Sequence, residues 1–173
     1  MATTTSVDNL YATLGLPSAP LLLDVRSEKD FLAEPKLIPG ARRVDMTQPD
    51  TWRQSLPSTR SIVAYCAHGG ELSRDAAERL AASGCQAMYL NGGFESWMKD
   101  KRATVRARDD LHTPGRSRWV TRERPKIDRL ACPWLVRRFI DPDALFFYTP
   151  AHQVRADAET LEAEPYDIAD VTF

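Results

Sequence analysis

At 173 residues the chain is somewhat longer than one average domain, so one domain plus an extra piece is expected. Its 43% apolar and 27% charged residues exclude global disorder, and 23 basic against 24 acidic residues, a net charge of −1, exclude a uniformly basic nucleic-acid binder. No apolar run approaches the roughly 18 residues of a membrane span, no basic region precedes Asp8 as in a signal peptide, and the three cysteines (Cys66, Cys85, Cys132) form no CxxC pair. A disulfide framework and a four-cysteine zinc site are therefore excluded, and a cytoplasmic location is expected.

Charge is uneven along the chain. Residues 1–98 carry 9 basic and 11 acidic groups, residues 99–138 carry 13 and 5, and residues 139–173 carry 1 and 8. The resulting nets of −2, +8 and −7 mark a boundary near residue 100. In the first part, Ser6 caps a short helix with Val7, Leu10, Tyr11 and Leu14 on one face, stopped by Gly15. Leu21 to Val25 reads as a buried strand, Ser27 caps a helical stretch through Phe31 and Leu32, and Pro39-Gly40 makes a turn before a brief strand at Arg43-Val44-Asp45. Asp50 is placed to cap a helix through Trp52 and Leu56. Ser61 to Cys66 is the next strand, Ala76, Ala77, Leu80 and Ala81 give a helix ended by Gly84, Gln86 to Leu90 is a third strand, and Phe94 to Met98 is a helical turn or two. This alternation predicts an α/β unit with a parallel sheet flanked by helices, whose ligands bind beyond the carboxyl ends of the strands.

Residues 101–118, charged, aperiodic and containing Pro114-Gly115, read as a linker. Beyond it, residues 119–173 predict an incomplete second α/β segment. Trp119 to Arg122 is a strand, Pro133 stands near the first turn of a helix running to Ile140, Leu145 to Tyr148 is a strand, Ala156 to Ala163 a helix, and Ile168 to Phe173 the start of another strand.

The strongest chemical signal is SIVAYC-AHGGEL-SRDAAERLAASG. A cysteine ends a strand, Gly69-Gly70 turn the chain, and a helix follows. Backbone N–H groups of such a loop and helix terminus converge on one point, lower a thiol pKa and accept an anion. His68 is positioned to add to that shift. The alternative is an inert core cysteine. His68, His112 and His152 have no metal-ligand spacing, so no metal and no cofactor are expected. Cys85 and Cys132 read as structural, and Phe94 and Trp97 as packing residues.

Four separated phrases, DVRSEKDF, IPGARRVD, YC-AHGG and LNGGFESW, stand in this order between Asp24 and Trp97. Together they resemble the rhodanese (thiosulfate sulfurtransferase-like) domain over roughly residues 6–100. The resemblance implies a parallel sheet flanked by helices and a persulfide carried on Cys66. It also implies an anion-cradling loop of Ala67, His68, Gly69, Gly70, Glu71 and Leu72, bordered by the acidic and basic pair Asp24 and Arg26. The common pattern is Cys-x-x-Gly-x-x-Ser. Here Gly69 keeps its place and Ser73 comes one residue late, giving seven members from Cys66 to Leu72. Longer loops are similar to those of rhodanese-fold phosphatases and arsenate reductases, but those end in an arginine where this chain has Leu72; the first arginine is Arg74.

In the second part, Arg122, Arg124, Lys126, Arg129, Arg137 and Arg138 lie among Trp119, Trp134, Phe139 and Phe147. Charge alone permits an oxyanion or nucleic-acid surface, or a solvated face balanced by the acidic tail. The phrases RPKIDRLACPWLVRRFIDP and FFYTP resemble the carboxy-terminal domain of chromate-resistance proteins. That resemblance implies a link to oxyanion stress, with Arg124, Asp128, Arg129, Cys132, Trp134 and Arg138 as positions of interest, and implies that the domain continues past residue 173. The function expected from both resemblances is an enzyme. It is a sulfurtransferase that takes sulfur from a small anionic donor such as thiosulfate onto Cys66 and passes it to a thiol. The alternatives are a sensor of a chromate-response system that contacts DNA, and a thiol-dependent oxyanion reductase. An oxyanion ligand is a further expected partner; a membrane is not.

Overall fold

The computed structural model describes residues 3–47, 60–107, 117–124, 126–141 and 144–170. Along the first unit run β1 (Thr3–Thr5), α1 (Val7–Thr13), β2 (Leu21–Asp24), α2 (Glu28–Ala33), β3 (Lys36–Leu37), β4 (Ala41–Arg43), β5 (Ile62–Tyr65), α3 (Glu71–Ala82), β6 (Ala87–Leu90), α4 (Gly93–Lys99) and β7 (Val105–Arg106). Five of these strands form one sheet in the order β1-β6-β5-β2-β4, and every pairing in it is parallel. β2 and β5 are buried at every position, which is why they read as unbroken apolar runs rather than alternating ones.

Alternation along these strands sorts two cores. Leu22, Val63 and Tyr65 point to one face, with Leu10, Phe31, Ile38, Phe94 and Trp97. Leu21, Leu23, Ile62, Ala64 and Cys66 point to the other, where Ala76 and Leu80 of α3 cover them. Cys66 thus belongs to the α3 face and sits at the carboxyl end of β5.

Local chemistry sets the element ends. Ser6 Oγ accepts the Asn9 N–H (3.2 Å) and Ser27 Oγ the Asp30 N–H (3.1 Å), so both expected caps form. β4 lies earlier than the expected Arg43-Val44-Asp45 strand. The Asp45 carboxylate turns back to accept from the N–H and Oγ1 of Thr47 (2.8 and 2.7 Å), an arrangement that ends the strand. The helix expected after Asp50 lies outside the described residues.

Within residues 101–118, β7 pairs antiparallel with β3, Trp97 Nε1 donates to the Ala103 carbonyl (2.9 Å), and the Ala107 N–H donates to the Pro35 carbonyl (3.2 Å). The first part of this stretch is therefore bound to the first unit, and Ser117 and Arg118 belong to the second.

The second unit comprises β8 (Arg118–Arg122), α5 (Ile127–Phe139), β9 (Leu145–Thr149), α6 (Val154–Thr160) and β10 (Glu164–Pro165), with a parallel sheet ordered β10-β8-β9. Trp119 forms its centre, packed on Phe146 and Tyr166. Three expectations are corrected here. Pro133 lies inside α5 rather than at its first turn: the helix begins earlier because Arg129 is buried and paired with Asp167 (2.7 Å). α6 ends at Thr160 instead of Ala163. Ile168 to Asp170 form bends and turns, since Asp167 and Asp170 adopt positive φ (51° and 59°) that no strand tolerates; residues 171–173 lie outside the described residues.

The two units meet at the amino-terminal end of β4, away from Cys66. The Gly40 N–H donates to the Phe139 carbonyl (2.7 Å), Arg138 donates to the Gly15 carbonyl, and Arg42 pairs with Asp141 (2.8 Å), both side chains nearly inaccessible. Asp141 also accepts from the Ser117 N–H and hydroxyl, each at 2.7 Å. Among the described residues no helix is long and apolar enough to cross a membrane.

Candidate active site

β5 delivers Cys66 to the start of a short loop, and α3 begins as soon as that loop ends. The Gly70 N–H donates to Cys66 Sγ (3.2 Å), and Ser73 Oγ lies 3.3 Å from the same sulfur. Ser73 is wholly buried, on the first turn of α3. Burial alone raises the thiol pKa. Hydrogen bonds from the Ser73 hydroxyl and from the backbone N–H groups of Ser73, His68 and Gly70 outweigh it, and the thiol is held below its ordinary value. The sulfur thus faces a ring of donors at a helix amino terminus, the surroundings that favour a thiolate.

The loop is braced from beneath by α4. The Phe94 N–H donates to the Cys66 carbonyl and the Glu95 N–H to the Ala67 carbonyl, both at 2.9 Å. So close an approach leaves no space for side chains. A Cβ on Gly69 (φ +68°) would stand 2.5 Å from the Gly92 nitrogen, and one on Gly93 (φ +58°) 2.4 Å from the Cys66 carbonyl oxygen. The LNGGF phrase is therefore part of the site: its glycines let α4 reach the cysteine loop.

Of the residues singled out in the sequence, Cys66, Ala67, His68, Gly69 and Gly70 come together here. His68 Nδ1 lies 2.8 Å from Glu95 Oε2, on the exposed side of the loop. Glu71 and Leu72 do not form the loop. They are exposed residues in the first turn of α3, because Gly70 already caps that helix. The seven-member spacing, one longer than the common pattern, therefore resolves into a four-residue loop plus one helical turn, which carries Ser73 back over the sulfur.

Asp24 and Arg26 are buried below the strand ends. Arg26 donates from its N–H and Nε to Asp24 Oδ1 (3.0 Å each), from Nη2 to Oδ2 (2.5 Å), and to the carbonyls of Glu34 (3.0 Å) and Lys36 (2.6 Å). Its guanidinium lies 4.1 Å from the centre of the Phe94 ring. The pair thus supports the site through Phe94, whose N–H holds the Cys66 carbonyl. Arg74 stands over Tyr89 (5.5 Å).

The second-unit candidates separate into two groups. Arg124, Asp128, Arg129 and Cys132 gather toward Asp167. Arg129 Nη2 donates to the Arg124 carbonyl (3.3 Å), and the Cys132 thiol is pushed up by burial and by the carboxylates of Asp167 and Asp128. Trp134 and Arg138 belong to the other end of α5, where Trp134 meets Phe139 edge-on (5.9 Å) and Arg138 reaches the first unit. Ser73, Gly93 and Glu95 are the site residues that sequence reasoning did not assign. The displaced serine and the second glycine pair were the signals available for the first two.

Comparison with known proteins matches the two parts of the chain to different families. The profile of the ChrB C-terminal domain matches residues 119–173. Protein ChrB of Cupriavidus metallidurans is 51% identical over 41 residues, 24% of this chain and 12% of that protein. The uncharacterized protein YqhL of Bacillus subtilis is 32% identical over 77 residues, 44% of this chain and 59% of that protein. The chain thus spans less than two thirds of the length of either relative. The crystal structure of a rhodanese-related protein from Thermoplasma volcanium shares the fold, with a TM-score of 0.52 at 22% identity over 60% of this chain and 97% of that one. The rhodanese-like domain profile matches residues 6–100, more than half of the chain, and the chain belongs to that family.

Proposed function

We propose that this protein is a sulfurtransferase that forms a persulfide on Cys66. The observation that carries the reading is the ring of donors on Cys66 Sγ: the Ser73 hydroxyl and the loop and helix amides, which hold the thiol below its ordinary pKa. In the first half-reaction the thiolate attacks the outer sulfur of thiosulfate or a similar small anionic donor. The donor's S–S bond breaks, and sulfite leaves with the electron pair. The same amides that favour the thiolate stabilise the incoming anion and the charged persulfide. In the second half-reaction a thiol takes the outer sulfur and restores the Cys66 thiolate. No cofactor enters either step. The setting we infer is cytoplasmic.

The test is thiosulfate:cyanide sulfur transfer by the wild type and by Cys66→Ser. Activity in the wild type and its loss in the variant are expected; full activity in the variant contradicts the assignment.

The likeness of the second unit to Protein ChrB supports placing this chemistry in a response to chromate or a related oxyanion. It also supports a second reading, in which the rhodanese-like unit senses thiol or oxyanion status without turnover and the basic segment contacts DNA. Salt-sensitive DNA binding without sulfur transfer would favour that reading. An oxyanion reductase using Cys85 as second thiol is disfavoured. β6 begins at Ala87 opposite Ile62, the far end of β5 from Cys66, and Cys85 precedes it. At about 3.3 Å per residue the length of β5 alone sets the two more than about 10 Å apart, beyond disulfide reach.

A further inference from the structure

We infer that His68 is the general base for the sulfur acceptor, that Glu95 is its positioning residue, and that the acceptor class is an un-ionised thiol. This rests on the sulfurtransferase reading above and concerns only its second half-reaction. The Cys66 thiolate needs no base of its own, but a neutral acceptor thiol must lose a proton as it attacks.

Three observations place the base. His68 is two residues past Cys66, in the loop that cradles Sγ, and its backbone N–H is among the groups that hold the thiol below its ordinary value. Its Nδ1 lies 2.8 Å from Glu95 Oε2. A carboxylate has no hydrogen to give, so Nδ1 carries the hydrogen, and Nε2 is the ring nitrogen left to accept a proton. Both side chains are about three-quarters exposed, at 75% and 72%, as groups that meet a second substrate must be. Glu95 is itself fixed to the loop, because its N–H donates to the Ala67 carbonyl (2.9 Å). An exposed pair of this kind adds little to stability, so the fold does not require it.

The step balances without an outside oxidant or reductant. The acceptor S–H proton passes to His68 Nε2 as the acceptor sulfur attacks the outer sulfur of the Cys66 persulfide. The persulfide S–S bond breaks, and its electron pair returns to Cys66 as a thiolate held by the loop amides. The acceptor leaves as a persulfide.

The test loads full-length protein with thiosulfate and follows loss of sulfur from Cys66 by rapid-quench intact mass spectrometry at pH 7. Two acceptors are compared: cysteine, and 5-thio-2-nitrobenzoate, an aryl thiol already ionised at that pH. A cysteine thiol with a pKa of ~8.5 is only about 3% thiolate at pH 7, so a base can accelerate its attack by at most roughly 30-fold. His68→Gln is therefore expected to raise the ratio of aryl-thiol to cysteine discharge rates by about 10- to 30-fold. Glu95→Gln should raise it by a smaller factor, and Glu95→Asp should bring it back toward the wild-type ratio. A ratio unchanged by His68→Gln, with sulfur loaded on Cys66, overturns this inference alone. Failure of the wild type to take up sulfur overturns the sulfurtransferase reading and this inference with it.

Discussion

Replacing Gly93 by alanine tests whether the contact between α4 and the cysteine loop creates the reactive thiol. The new Cβ would lie 2.4 Å from both the Cys66 carbonyl oxygen and the Gly69 nitrogen, and 2.8 Å from the Ala67 carbonyl carbon. All three are backbone atoms, which cannot swing aside as a side-chain end can. Holding alanine in the left-handed region costs about 1–2 kcal/mol, and forcing a packed backbone apart adds about 1–3 kcal/mol. The combined cost of about 2–5 kcal/mol corresponds to a fall in Tm of roughly 4–20 °C in a chain of this size. Displacing the loop also turns its N–H groups away from the Cys66 sulfur, so the Cys66 pKa rises and alkylation by iodoacetamide at pH 7 slows. Gly70→Ala is the control. A Cβ there meets nothing within 4 Å, and the change at a helix cap costs up to about 1 kcal/mol. Thermal melts and the pH midpoint of alkylation, measured on both variants, check the argument. A Gly93→Ala protein with the wild-type melting temperature and the wild-type alkylation midpoint would refute it.

The lowered Cys66 pKa also predicts a pH-dependent stability. A thiol that ionises more readily folded than unfolded binds fewer protons in the native state. The stability gap between wild type and Cys66→Ala, read by urea unfolding, should therefore widen from the folded pKa up to about 8.5 and be flat on either side; a gap that narrows over that window contradicts the shift. Asp141→Ala removes the buried carboxylate that pairs with the nearly inaccessible Arg42 guanidinium and holds Ser117, at a cost of up to about 3–5 kcal/mol, whereas Asp75→Ala on the exposed pair with Arg79 should cost under about 1 kcal/mol. Equal melting temperatures for these two variants would show that the junction between the units is not structural. Sulfate or chromate should compete with thiosulfate only weakly, since Arg74 stands over Tyr89 and a helix terminus contributes about 0.3–1 kcal/mol per charge. Inhibition kinetics giving tight competition would call for an arginine clamp that the described residues around Cys66 do not form.

Much of the first unit was legible because its signals are local. Leu21 to Val25 and Ser61 to Cys66 are apolar runs with turn residues at each end, and Ser6 and Ser27 cap the helices that follow them. Cys66 before Gly69-Gly70 pointed to a strand-end sulfur site for the same reason. What escaped notice depends on partners far along the chain. Thr3–Thr5 carries no apolar signal and becomes a strand only by pairing with β6. Ser73 looked displaced in the sequence, yet one turn of helix returns its hydroxyl to Cys66. Gly93 and Glu95 reach the cysteine loop from the next crossover, and Arg42 finds Asp141 about a hundred residues later; no spacing rule links such positions. The Pro133 misplacement has the same origin, since the start of α5 is set by the pairing of Arg129 with Asp167 rather than by proline's preference for a first turn.

Intact mass spectrometry after thiosulfate treatment addresses the central claim most directly. The wild type is expected to gain the mass of one sulfur atom, localised to Cys66 by peptide mapping and removed by a reducing thiol, and Cys66→Ser to gain none. A wild-type protein that stays at its original mass, or that carries the added sulfur on Cys85 or Cys132, would contradict the account.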